Sequence, residues 1–192
     1  MNKNSILLHP GSGDFSDNVM VYLEASKILI THSKKEPMTS KFIYPALFCF
    51  RHSIELSLKS ILWFLVENYL ESDRKDEMKK IITGVKGHSL DVLAREMHSL
   101  IDEFQEACGQ LSQKATEIIR QIHNLDPTGI TFRYNLDKEG NPIITELIEI
   151  DTVKLKKDME EVINEILNKY VDIFESKEVD DYFLSLYAKE YH

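Results

Sequence analysis

At 192 residues with 43% apolar content and no break in composition, the chain can bury one substantial core, and a single domain over residues 1–192 is expected. A formal charge of -9 and a pI near 5.3 exclude generic nucleic-acid binding through a basic face, so any contact with RNA has to be local. The acidity gathers at one end, where residues 151–192 hold eleven Asp or Glu against six Lys.

The opening stretch Met1 to Ser12 carries only the short apolar run Ile6, Leu7 and Leu8, too short for a secretory core or a membrane span, so a cytoplasmic protein is expected. Asp14 or Ser16 can cap a first helix near 16–33, where Val19, Leu23, Ser26 and Ile30 recur at helical spacing. Lys34 to Pro37 break it. Thr39 or Ser40 can cap a second helix, with Pro45 tolerable only in its first turn, and nothing stops that helix before about Leu70. Being apolar nearly all round at Ala46 to Phe50, it is expected to run through the centre of the bundle.

Glu71 to Lys86 mixes both charge signs and ends in Gly84 and Gly87, which suits a short exposed helix and a loop. His88 opens a further amphipathic run through Leu90, Leu93, Met97, Leu100, Ile101 and Phe104, and Ile118, Ile119 and Ile122 mark another helix near Leu111 to Asn124. Asp126 to Gly129 end it. Ile130, Phe132, Tyr134 and Leu136 then alternate with polar residues, and a turn around Gly140 and Asn141 precedes Ile143 to Ile150, a pattern that predicts a small β-hairpin. Asp151 can cap a last long helix with a stripe through Leu155, Met159, Val162, Ile166, Tyr170 and Ile173, followed by a short helix from about Val179. The expected fold class is all-α: an antiparallel bundle of five to six helices with one inserted hairpin.

Cys49 and Cys108 have no CxxC spacing, which leaves two buried free thiols as the expectation. His52 and Glu55 stand at i, i+3 like a helical metal-ligand pair, but no second such pair exists, so neither a metal nor another cofactor is expected. The glycine-bearing His9 to Gly13 lacks the Gly-Lys-Ser/Thr ending of a phosphate loop.

Arg51, Glu55 and Lys59 follow one another at i, i+4 on an apolar helix, where charges must find partners. They form either a salt-bridge ladder that orders the bundle or a ligand site. The start of the His88 helix and the polar edge of the hairpin carry the matching groups, so Arg51, His52, Glu55, Lys59, His88, Arg133 and Tyr134 are expected to meet in one polar site.

The Arg51-His-x-x-Glu-Leu-x-Leu-Lys59 stretch, followed by Gly87-His-Ser-Leu-x-x-Leu93, resembles the HEPN-like proteins of prokaryotes. Asp126-Pro127 and Phe132-Arg-Tyr-Asn-x-Asp-Lys-x-Gly-x-Pro142 are similar to a hairpin segment in a subset of them, and the resemblance covers about residues 40 to 175. It implies a helical bundle that dimerises, in toxin–antitoxin, anti-phage defence or RNA-processing systems. Many members are metal-independent ribonucleases marked by an Arg followed by a His with four to six residues between them. None of Arg51, Arg74, Arg95, Arg120 and Arg133 has a His at that distance, although Arg95 with His98 and Arg120 with His123 share a helical face. The first functional reading is therefore a dimeric binding module for a phosphate-bearing ligand, a nucleotide or RNA, with a partner protein encoded nearby and no membrane contact. Two alternatives stand beside it: an endoribonuclease with a displaced Arg/His pair, with no catalytic residue assigned, and a purely structural partner-binding protein.

Overall fold

A computed structural model describes residues 15–33, 39–134, 139–145 and 148–190, with side chains described for all of these except residues 39, 40 and 178–190. Six α-helices follow in order: α1 Val19–Ser33, α2 Ile43–Tyr69, α3 Ser72–Thr83, α4 Leu90–Phe104, α5 Gln113–Leu125 and α6 Thr152–Glu190. Short 3-10 turns at Phe15–Asn18, Thr39–Phe42, Val85–His88 and Glu106–Cys108 lead into or join them.

α2 is the axis of the molecule. It packs against α1, α4 and α6 and also touches α3 and α5, so Phe50, Ile54, Leu58, Ile61, Leu62 and Leu65 lose all contact with water. Each such side chain contributes on the order of 2 kcal/mol through removal from water. The face toward α1 is different, because small serines let the backbones approach. Ser53 Oγ donates to the Val19 carbonyl at 2.8 Å, and Ser26 Oγ of α1 donates to the Ala46 carbonyl at 2.7 Å. These bonds satisfy hydroxyls that would otherwise cost free energy in a dry interface.

The helix ends follow the local chemistry. Ser89 Oγ accepts from Val92 N at the start of α4, Ser112 Oγ from Ala115 N at the start of α5, and Asp151 Oδ1 from Val153 N and Lys154 N at the start of α6. Pro45 falls in the first turn of α2, where its missing N–H is least needed.

Two expectations are corrected. α6 is one continuous helix of 39 residues, roughly 58 Å long, rather than a long helix followed by a short one. No Gly or Pro lies between Glu175 and Glu190 to interrupt it. The predicted hairpin also finds no strand among its described residues: Ile130 to Tyr134 is turn and coil, and the segment from Glu139 to Thr145 shows only an isolated bridge at Pro142. Residues 135–138 and 146–147 lie outside the described residues. In the first arm the backbone is held locally, since Arg133 N and Tyr134 N both donate to the Ile130 carbonyl. Those N–H groups are already engaged within the turn.

No helix among the described residues is long and apolar enough to cross a membrane. The two thiols are free and only partly buried, and burial raises the pKa of each.

Candidate functional site

The i, i+4 spacing puts Arg51, Glu55 and Lys59 on the side of α2 that meets the end of α5 and the start of α4. All three are buried, their side chains 3%, 3% and 8% exposed. Glu55 is the hub: Oε2 accepts from Arg51 Nη1 at 3.0 Å, and Oε1 accepts from Lys59 Nζ at 2.9 Å and from His88 Nδ1 at 3.0 Å. Burial alone would raise the Glu55 carboxyl, but the charges of Lys59, His88 and Arg51 outweigh it and hold the group below its ordinary value.

Arg51 uses its whole guanidinium. Besides Glu55, Nε donates to the Asp126 carbonyl at 2.9 Å and lies 3.5 Å from Asp126 Oδ2, while Nη2 donates to the His88 carbonyl. Its planar fork therefore ties α2 to the end of α5 and to the start of α4. With each of its three nitrogens bonded to protein and the side chain 3% exposed, this guanidinium is out of reach of a ligand phosphate.

Asp126 is a residue that sequence reasoning passes over as a mere helix terminator. It is fully buried, and its Oδ1 accepts from Ile130 N at 2.8 Å and Thr131 N at 3.0 Å. The signal is the Asp-Pro-Thr-Gly run, since an Asp side chain bonds readily to backbone a few residues on. Gly129 completes the turn with φ +76°, and a Cβ there would stand 3.0 Å from Arg51 Nη1. Only glycine combines that dihedral with so close an approach.

The expected single site is divided. Arg51, Glu55, Lys59 and His88 do meet, and Asp126 joins them. His52 does not: one residue along a helix is a rotation of about 100°, which carries its ring to another face. There it stacks on Phe48 with centroids 5.7 Å apart and meets Tyr22 edge-on at 4.5 Å. Burial lowers its pKa below the ordinary histidine value. No group of three or more His, Cys, Asp or Glu among the described residues is placed to hold a metal ion.

Arg133 and Tyr134 also stand apart from the ion cluster, on its outer side. Arg133 Nε donates to the Gly129 carbonyl at 2.6 Å, and its guanidinium lies 5.8 Å from the Phe48 ring and 5.9 Å from the Tyr134 ring. These three residues line an open cleft of about 580 Å³ together with Lys41, Tyr44, Pro45 and Phe132. Lys41 in the Thr39–Phe42 turn and Tyr44 and Phe48 in the α2 that follows recur at i, i+3 and i+7, a spacing that could have marked them as one face. Neither Lys41 nor Arg133 has a carboxylate partner among the described residues. By contrast, the clefts around Arg74, Lys114 and Lys27 each include carboxylates in their walls.

The two Arg/His pairs considered for a displaced catalytic centre are occupied differently. Arg95 pairs with Glu96 and Asp91, and Arg120 pairs with Glu117. His98 Nε2 and His123 Nδ1 are buried without a hydrogen-bond partner among the described residues. Comparisons with protein-family models, with curated proteins and with solved structures return no match to this chain.

Proposed function

We propose that the chain is a HEPN-like binding module of a prokaryotic stress or anti-phage defence system, and that it recognises a small phosphate-bearing ligand in the Lys41–Arg133 cleft. The observation that carries this reading is a pair of cations without a carboxylate partner among the described residues, set among Tyr44, Phe48 and Tyr134. Ammonium and guanidinium groups give charge-assisted bonds to phosphate oxygens, and aromatic faces accept a nucleobase by stacking. The cleft volume suits a ligand of nucleotide size, and the overall charge of -9 disfavours long polyanions.

Calorimetric titration with ATP, GMP and inorganic phosphate tests the reading. Binding of at least one nucleotide that falls about tenfold in Arg133→Ala and again in Lys41→Ala is expected. Absence of binding by the wild-type chain, or binding indifferent to both substitutions, overturns it.

A second copy of the chain is the partner this reading expects. Met20, Val21 and Ile28 on α1 and Phe42 just before α2 leave large apolar side chains in water, and a dimer is one way to cover them. Light scattering at micromolar concentration checks it, a monomer mass counting against it.

A further inference from the structure

His88 combines two properties seldom found together. Its backbone and Nδ1 are held from below, yet its side chain is 51% exposed. Glu55 carries the charges of two basic partners and is an acceptor only, so the proton of the 3.0 Å contact sits on His88 Nδ1. In the neutral ring the lone pair is then on Nε2, which has no partner among the described residues.

The turn that presents the ring is rigid. Gly87 is buried, and a Cβ at that position would stand 2.0 Å from the Ile82 carbonyl oxygen, so the Val85–His88 turn sits directly on the end of α3. Arg51 holds the His88 carbonyl, and Ser89 N donates to the Lys86 carbonyl at 3.0 Å. A histidine serving only to order the core would be buried with it. One placed by chance on the surface would not be fixed at both its carbonyl and its ring.

The geometry points to His88 Nε2 as a phosphoryl-acceptor nucleophile. With its side chain half exposed, the imidazole can meet a phosphoryl group carried by another molecule. A carboxylate on Nδ1 raises the nucleophilicity of the opposite nitrogen and balances the positive ring that forms on attack. Lys59 shares Glu55 Oε1 with the imidazole, and Lys86 stands two residues earlier in the same turn, so the surroundings of the ring are cationic as well as anionic. With phosphoramidate as donor, the Nε2 lone pair forms the new P–N bond and the donor's P–N bond breaks. Ammonia leaves with that electron pair, and Nδ1 keeps its proton on Glu55.

This site is separate from the Lys41–Arg133 cleft and stands or falls independently of it. The test is incubation of the full chain with potassium phosphoramidate at neutral pH, followed by intact mass and fragment mapping without acid. One phosphoryl group on His88 is expected, gained at least about tenfold faster than on the exposed His32 and lost in His88→Asn. No transfer, or transfer spread equally over His32, His98 and His123, overturns it. Glu55→Gln is expected to slow transfer about tenfold. Because that variant disturbs a buried cluster, nitrogen-15 NMR of the phosphorylated wild type provides a second reading. Phosphorus on Nε2 with a proton on Nδ1 supports the assignment, and the Nδ1 isomer overturns it.

Discussion

Two arginines flank one glycine and do opposite things. Arg51 lies beneath Gly129, 3% exposed, with every arm of its guanidinium bonded to protein. Arg133 bonds the Gly129 carbonyl from the outer side through Nε alone and spreads the rest of its guanidinium over Phe48 and Tyr134. The two side chains have the same charge and the same donors. Their roles differ because burial forces complete pairing on the first, whereas exposure leaves the second with donors for something else. An ion cluster such as that around Glu55 is held in place chiefly by what its disruption would cost, and a cleft such as that around Arg133 is defined by what it leaves unpaired.

The largest expected effect comes from breaking the buried side of this comparison. Arg51→Ala leaves Glu55 and Asp126 short of their common cation and is expected to cost about 3–5 kcal/mol, read as a fall in denaturation midpoint. A loss below about 1 kcal/mol would show that the cluster does not order the bundle. Gly129→Ala tests the joint between the regions, since the new methyl meets Arg51 at a φ that L residues avoid, and about 1–3 kcal/mol is expected to be lost. Arg133→Ala sharpens the other side: stability within about 0.5 kcal/mol of wild type, together with the loss of nucleotide binding described above. If Arg133→Ala instead unfolds the protein, the division between the two regions is wrong.

The smallest effect is a dependence on pH that assigns different windows to different rings and carboxylates. The folded chain keeps His52 neutral below its ordinary value of 6.5, so the unfolded chain binds that proton first. Stability contributed there is complete above about pH 6.5 and declines as pH falls toward the lowered folded value. His98 is shifted the same way, also by burial, and adds to the decline. Glu55 acts only at lower pH: its folded value lies below the ordinary 4.5, so its contribution is present above that value and is lost as pH falls through the folded one. Thermal melts between about pH 7.5 and pH 5.5 should therefore decline less steeply in His52→Gln than in wild type. Equal slopes in the two proteins would remove His52 from the titration.

Much of the helical order was legible along the chain, because apolar residues at helical spacing and a cap such as Asp151 act through neighbours within one turn. The i, i+4 ladder of Arg51, Glu55 and Lys59 was legible for the same reason, and its burial followed from the apolar helix around it. The alternation at Ile130 to Tyr134 misled, since its backbone donors are taken by Asp126 and Ile130, a competition that period alone does not reveal.

By itself, then, the sequence determined the helices, the central place of α2 and the need to pair three charges on one of its faces, since each depends on residues a few positions apart. Only the tertiary structure decided which distant groups would do the pairing. Asp126 lies 75 residues from Arg51 and His88 lies 33 from Glu55, and no periodicity specifies a contact across such separations. The same packing turned His52 away to Phe48 and left Arg133 facing solvent, because a site is assembled from faces that different helices happen to bring together.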